Sequence, residues 1–252
     1  MKKILSILLF LAITTLVSAQ TNEEYLVNSK TLNMRSGAGK EHEVIATLSM
    51  DDEVFIIQKY DNGWWKVDFD GTQGYVYSSL LKVDPYSDWE KKKYQSGVTP
   101  DCENISPKYD YELDNYLQIN VGSGTDVVVK LMKKGYYEDE CIRIVYVRSG
   151  DKYEIKNIPE GLYYLKIAYG KDYRKKIVDN ICYVKFIKKA QYEKGNEILD
   201  FNKIKKPNKQ IGDKTYENWS IPSYKLSLDV IVIKGTKSTF KSNDISETEF
   251  NK

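Results

Sequence analysis

The chain has 252 residues, 41% of them hydrophobic and 13% aromatic, with 21 tyrosines. That apolar load excludes wholesale disorder, and the length fits two domains. Its 38 basic residues nearly balance its 36 acidic ones, so no net field directs it to nucleic acid, which is bound by neutralising many phosphates. Lys2 and Lys3 precede an apolar run over 4–17, interrupted by Ser6, Thr14 and Thr15, and then Val17-Ser18-Ala19. A positive start, an apolar stretch and small residues read as a signal peptide over 1–19. The run is shorter than the ~20 residues that span a bilayer, and no Cys follows it for lipid attachment. Removal of Lys2 and Lys3 leaves 36 basic against 36 acidic residues. The expectation is a neutral exported chain, periplasmic, secreted or at the cell surface, with no stable membrane span after cleavage.

Residues 20–83 read as a small β module. Val44-Ile45-Ala46-Thr47-Leu48 and Glu53-Val54-Phe55-Ile56-Ile57 are branched, apolar strand candidates. Asp61-Asn62-Gly63 and Asp70-Gly71 are turn signals, and between them Trp65, Val67 and Phe69 alternate on one face. Gly74 opens another strand. Short strands and tight turns imply a small closed sheet. Leu32-Asn33-Met34-Arg35-Ser36-Gly37, Asn62-Gly63-Trp64-Trp65-Lys66-Val67 and Gly74-Tyr75-Val76-Tyr77-Ser78-Ser79-Leu80-Leu81 resemble, in this order, the bacterial SH3 domain. That resemblance implies a small barrel attached to an exported protein, binding peptide or cell-wall material.

Residues 84–108 carry Pro85, Pro100 and Pro107 among small residues and read as a linker that packs in places, with a helical turn expected near Trp89. From 109 to 235, strand candidates lie at 116–121, 127–132, 142–148, 153–158, 163–169, 183–187 and 225–234, punctuated by Gly122-Ser123-Gly124, Ser149-Gly150-Asp151, Pro159-Glu160-Gly161 and Gly170. The pattern predicts an antiparallel β-sandwich; the fold class is all-β. The phrase from Ser149 to Ile167, an extended strand, a Pro-x-Gly turn and a Tyr-led strand, resembles the carboxypeptidase-regulatory (prealbumin-like) sandwiches. Residues 191–222 read as a long loop, and 236–252 as a frayed polar tail.

The chemistry-bearing residues are few. His42 is the single histidine, so a Cys–His pair or a Ser–His pair lacks a base near Cys102, Cys141 or Cys182. No cofactor, metal site or catalytic residue is expected. Acid runs at 51–53 and 138–140 lack calcium-loop spacing and read as turns. An odd cysteine count leaves one thiol over; the preferred disulfide is Cys141–Cys182, both in strands, with Cys102 as the remainder. The binding candidates are Trp64, Tyr60, Tyr75 and Tyr77, aromatics around two turns that can stack on a sugar or hold an extended peptide. Trp65, in phase with Val67 and Phe69, reads as core. Asn33 and Arg35 match the resemblance's first phrase, and a structural role in their loop is expected for both. The functional expectation is a non-enzymatic exported protein binding peptide or cell-wall fragments. The alternative is an interaction component of an envelope assembly, with a cell-wall amidopeptidase third.

Overall fold

The computed structural model describes residues 23–228 and 241–252, which divide into two units between Ser87 and Asp88. The expected signal peptide, and the part of the last strand beyond Leu228, lie outside the described residues. Among those residues no helix is long and apolar enough to cross a membrane.

The first unit contains β1 (Glu24–Val27), β2 (Thr31–Arg35), β3 (Val44–Ser49), β4 (Glu53–Lys59), β5 (Trp64–Phe69) and β6 (Thr72–Tyr77). A 3-10 turn at Ser78–Leu80 leads into β7 (Leu81–Val83). The order is β3-β2-β6-β5-β4-β1-β7, antiparallel throughout. Alternation does the work here. Leu32 and Met34 from β2, Leu48 from β3, Val54 and Ile56 from β4, Val67 from β5 and Val76 from β6 meet in one core, so the sheet curls around its own apolar face. The closed barrel expected from the turn spacing is not found. The ladder ends at β3 and β7, and β2 meets β6 through the single pair Arg35–Tyr75.

The second unit begins with β8 (Glu90–Lys92), where a helical turn was expected. It continues with β9 (Tyr116–Val121), β10 (Asp126–Lys133), β11 (Glu140–Val147), β12 (Lys152–Lys156), β13 (Leu162–Val178), β14 (Ile181–Gly195), β15 (Leu199–Asp200), β16 (Ile204–Ile211), β17 (Lys214–Ser220), β18 (Tyr224–Leu228) and β19 (Ser242–Asp244), and closes with α1 (Glu247–Asn251). A seven-stranded sheet, β11-β10-β13-β14-β19 with β15 and β8 added to β13, faces a three-stranded sheet, β12-β9-β18. Leu117, Ile119, Val129, Leu131, Leu165, Phe201 and their neighbours from both sheets form the core between them. The arrangement is the expected two-sheet sandwich with one departure: β18 joins β9 in parallel.

Two long strands depart further from the sequence reading. Gly170 looks like a turn, yet it lies inside β13 at a register shift between Tyr169 and Lys171. A Cβ there would come within 2.3 Å of Phe186 Cβ. The glycine therefore marks a bulge where the neighbouring side chain presses on the backbone, and the strand continues through it.

The large sheet is buried on both faces. Val128, Ile144, Tyr146, Ala168, Tyr173 and Phe186 form a second core on its outer side, closed by Tyr94 and Ile105 from the presumed linker and by Ile245 and Phe250 from the presumed frayed tail. Residues 88–108 are thus a strap: β8 pairs with β13, Gly97 N–H donates to the Tyr146 carbonyl at 2.8 Å, and Thr99 Oγ1 donates to the Ile144 carbonyl at 2.8 Å. The tail docks because Ser246 caps α1, Phe250 is 4% exposed, and Lys130 stacks over its ring at 4.6 Å. Lys166 Nζ also donates to the Glu249 carbonyl at 2.7 Å.

The expected Cys141–Cys182 bond is corrected by this packing. Cys102 of the strap is bonded to Cys182 of β14, with Cα atoms 5.3 Å apart across 80 residues of sequence. Cys141 is a free thiol packed against the outer core, and burial pushes its pKa up to about 11. Sequence alone assigned the two strand cysteines to each other because the strap's docking was not legible. Non-reducing peptide mapping should recover Cys102 joined to Cys182 and Cys141 unmodified. Replacing both bonded cysteines by Ser should cost the second unit about 4 kcal/mol in urea unfolding, by the loop-closure relation.

Buried charge adds a second dependence. The Arg174 side chain is 1% exposed, and its Nη2 lies 2.6 Å from Asp172 Oδ2. Asp172→Ala should destabilise the unit by about 3 kcal/mol, because the buried guanidinium loses the Asp172 carboxylate and alanine is strained at the positive φ of that position; urea titration of the variant measures this.

Candidate functional site

The hairpin register sorts the first unit's aromatics by face. Across β5 and β6, Trp64 lies opposite Tyr77, Lys66 opposite Tyr75, and Asp68 opposite Gln73, while Val67 lies opposite Gly74 and Trp65 opposite Val76. The Val67 set turns into the core with Trp65 and Phe69 packed beside it. The Trp64 set therefore points outward. Arg35 is the β2 partner of Tyr75, which places Asn33, two residues earlier, on the same outer side.

All six sequence candidates lie on this outer side or its rim. The Trp64 and Tyr77 rings meet edge-on with centroids 5.7 Å apart, and Tyr77 is 43% exposed. Tyr60, in the β4–β5 turn, tilts against Tyr75 at 6.0 Å and donates its hydroxyl to Gln58 Oε1 at 2.9 Å. Burial, and then the Tyr75 hydroxyl, raise the Tyr60 pKa above its ordinary value. Arg35 Nη1 donates to the His42 carbonyl at 2.7 Å, holding the 36–43 loop, whose base is closed by Ser36 N–H donating to the Glu43 carbonyl. Asn33 Oδ1 accepts from Thr47 Oγ1 at 3.2 Å, so this side chain is turned toward β3. The aromatics thus form two adjacent pairs, with Arg35 and Asn33 supporting the loop and edge beside them.

Gly63 sets the geometry of the outer pair. Its φ is +82°, which favours glycine, and a Cβ would meet Tyr77 Cε2 at 2.8 Å. The Tyr77 ring therefore lies directly over the turn backbone. Asn62 Oδ1 accepts from Trp64 N–H at 3.1 Å and fixes the start of β5.

Two contributors escaped the sequence reading. Lys66 lies opposite Tyr75 on the face shared by Trp64 and Tyr77; its phase with Trp64 is visible in the sequence, but its partner Tyr75 is not. Lys59 caps Trp65 at 4.8 Å from the ring centroid, with Tyr25 edge-on at 5.3 Å. Trp65 is consequently half core and half lid for a cation.

The chemistry otherwise associated with hydrolysis is dispersed. His42 Nε2 sits 3.4 Å from Glu41 Oε1 in the Arg35 loop, while the one free thiol belongs to the second unit. The acid runs have local employment: Asp52 Oδ2 accepts from Ser49 N–H, Asp51 pairs with Lys82, Asp139 accepts from Gly135 N–H and Tyr164, and Glu140 pairs with Lys108. Oxygens of Glu24, Glu53 and Asp84 gather within 4.8 Å of one another, and each residue is engaged in a further interaction. No metal is assigned to them.

The curled antiparallel sheet with an aromatic outer hairpin is an SH3-type domain of bacterial kind: residues 30–82 match the family model described as bacterial SH3 domain. Domains of this family often bind cell-wall material. Among characterised proteins, the chain is similar to the probable endopeptidase p60 of Listeria innocua serovar 6a, 33% identical over 66 residues. That match covers 26% of this chain and 14% of the relative.

Gly63→Ala should lower the stability of the first unit by about 1–2 kcal/mol, since alanine is strained at positive φ and its methyl would displace Tyr77. Thermal unfolding combined with the Tyr77 ring resonances in NMR would register both effects.

Proposed function

We propose that this is an exported, non-enzymatic binding protein whose SH3 domain holds peptide or cell-wall fragments against the outer aromatic face. The observation that carries the reading is the Trp64–Tyr77 pair, which projects from a rigid hairpin beside Tyr75, Tyr60 and Lys66. An indole edge and exposed phenol rings offer flat apolar area at low entropic cost, and hydroxyls at their rims can fix the register of a sugar or peptide. Trp64 is the central contact. Arg35 and Asn33 act as positioning residues for the neighbouring loop rather than as ligands' partners.

The absence of enzymatic activity is part of the proposal and rests on the chemistry of the candidate groups. A thiol nucleophile requires a thiolate, and Cys141 is held protonated at neutral pH by burial, while Cys102 and Cys182 are bonded to each other. The likeness to a probable endopeptidase is confined to a 66-residue match, so it supports the domain family and is neutral between binding and hydrolysis. The second unit is a separate sandwich whose large sheet is covered on both faces.

Co-sedimentation with purified peptidoglycan tests this directly. Wild-type protein should be retained, and Trp64→Ala should reduce retention about tenfold, as expected for a central aromatic contact. Arg35→Ala should act mainly on stability. Absence of retention for the wild type would overturn the reading and favour an interaction role in an envelope assembly.

A further inference from the structure

The hairpin of β16 and β17 stands apart from both cores. Every residue of the pair up to Trp219 is exposed, and the two strands form a sheet of their own. An isolated two-stranded hairpin is marginal in water without a covering surface. This one nevertheless carries Ile204 (49% exposed), Ile211 (57%), Tyr216 (47%) and Trp219 (45%).

Its register divides the charges unevenly. Ile204 faces Ser220, Lys206 faces Asn218, Lys209 faces Tyr216 and Ile211 faces Lys214, with the frame kept through a bulge at Pro207 and Asn208. These eight side chains share one face, which holds three lysines and no acid. The other face holds Lys205, Gln210, Thr215, Glu217 and Trp219, and its charge is internally balanced: Lys205 Nζ lies 3.3 Å from Glu217 Oε1 and over the Trp219 ring at 5.3 Å. Among the described residues Lys206, Lys209 and Lys214 form no ion pair. One face is therefore neutralised by the protein, and the opposite one is cationic with two aliphatic side chains and a tyrosine interleaved.

We infer that this face is a docking surface for an anionic lipid bilayer. Lysines meet the negative surface potential, and the phenol and aliphatic side chains suit the headgroup boundary, where a purely polar polyanion would leave Ile204 and Ile211 in water. The hairpin is rooted firmly enough to transmit such an attachment: Lys203 N–H donates to Glu160 Oε2 at 2.9 Å, and the Tyr224 hydroxyl donates to the Asp200 carbonyl at 2.9 Å. The β10–β11 loop, with Tyr136 and Tyr137 more than 90% exposed, lies at the same end of the sandwich, since Lys134 N–H donates to the carbonyl of Leu162 where β13 pairs with β15. This surface belongs to the second unit and is independent of the aromatic face on the SH3 domain.

The test is vesicle co-sedimentation of the full chain. Vesicles of phosphatidylglycerol mixed with phosphatidylcholine should retain it, and vesicles of phosphatidylcholine alone should not. Combined Lys206→Gln, Lys209→Gln and Lys214→Gln should lower partitioning about 100-fold, at roughly fivefold per lysine near a charged surface. Molar salt, where the Debye length is ~3 Å, should do likewise. Ile204→Ser with Ile211→Ser should weaken retention severalfold at unchanged salt dependence. Because these side chains are exposed, each variant should keep the wild-type thermal unfolding curve. Equal retention on neutral vesicles, no retention on either, or an unaffected lysine variant would each overturn the inference. Capture by immobilised polyglutamate without vesicle binding would also overturn it, pointing to an acidic protein partner instead. The vesicles contain neither peptide nor glycan, so the outcome is separate from that of the peptidoglycan assay.

Discussion

The second unit depends on a sheet that must be covered twice. In β10 and β11, residues of both phases are apolar, and most of both strands are buried. A sheet with one wet side would alternate apolar with polar. The small sheet of β9, β12 and β18 covers one face. The other requires residues 88–108 and the C-terminal helix, neither of which could form a stable structure alone. Their attachment explains the positions of the polar groups buried there. Lys130 and Lys166 cross the outer core and are met by Glu103, by the Glu249 carbonyl and by the Phe250 ring. The Cys102–Cys182 bond clamps the strap at the point where it crosses β14.

The first unit solves a smaller problem by a different route. A curled sheet buries one face, and the other is free to carry function. Its outer aromatics are available because the inward side chains, among them Leu32, Met34, Leu48, Val54, Ile56, Val67 and Val76, form the core. Rigidity comes from the turn chemistry: a positive-φ glycine at 63, an asparagine cap at 62 and an arginine-held loop at 36–43. A contact surface built this way loses little conformational freedom on binding, which is the advantage of placing aromatics on a hairpin. The β16–β17 hairpin presents the opposite design, a solvated element whose cationic face is left without internal counter-charges.

Period-two patterning made much of this readable. Trp65, Val67 and Phe69 were placed on the core side, and Trp64 opposite, from alternation alone; the ladder with β6 agrees. The sandwich strands at 116–121, 127–132 and 142–148 were legible for the same reason. The bulge at Gly170 was not, since a glycine in a strand and a glycine in a turn look alike until the packing of Phe186 is known. The packing of residues 88–108 and of the C-terminal segment is not legible in sequence because their few apolar side chains, Tyr94, Ile105, Ile245 and Phe250, show no period of their own. Their partners are distant in sequence, as Tyr94 against Tyr146 illustrates.

The sequence by itself determined the all-β class, the SH3 module, the outward phase of Trp64 and the presence of a single histidine. Each of these is encoded by local alternation, a short motif or plain composition. Tertiary structure alone decided that the barrel stays open, that Cys102 rather than Cys141 bonds Cys182, and that strap and tail complete a second core. It also decided which lysines of the β16–β17 hairpin share a face. These outcomes depend on register and on contacts between distant segments, where a shift of one residue reverses the side a chain presents.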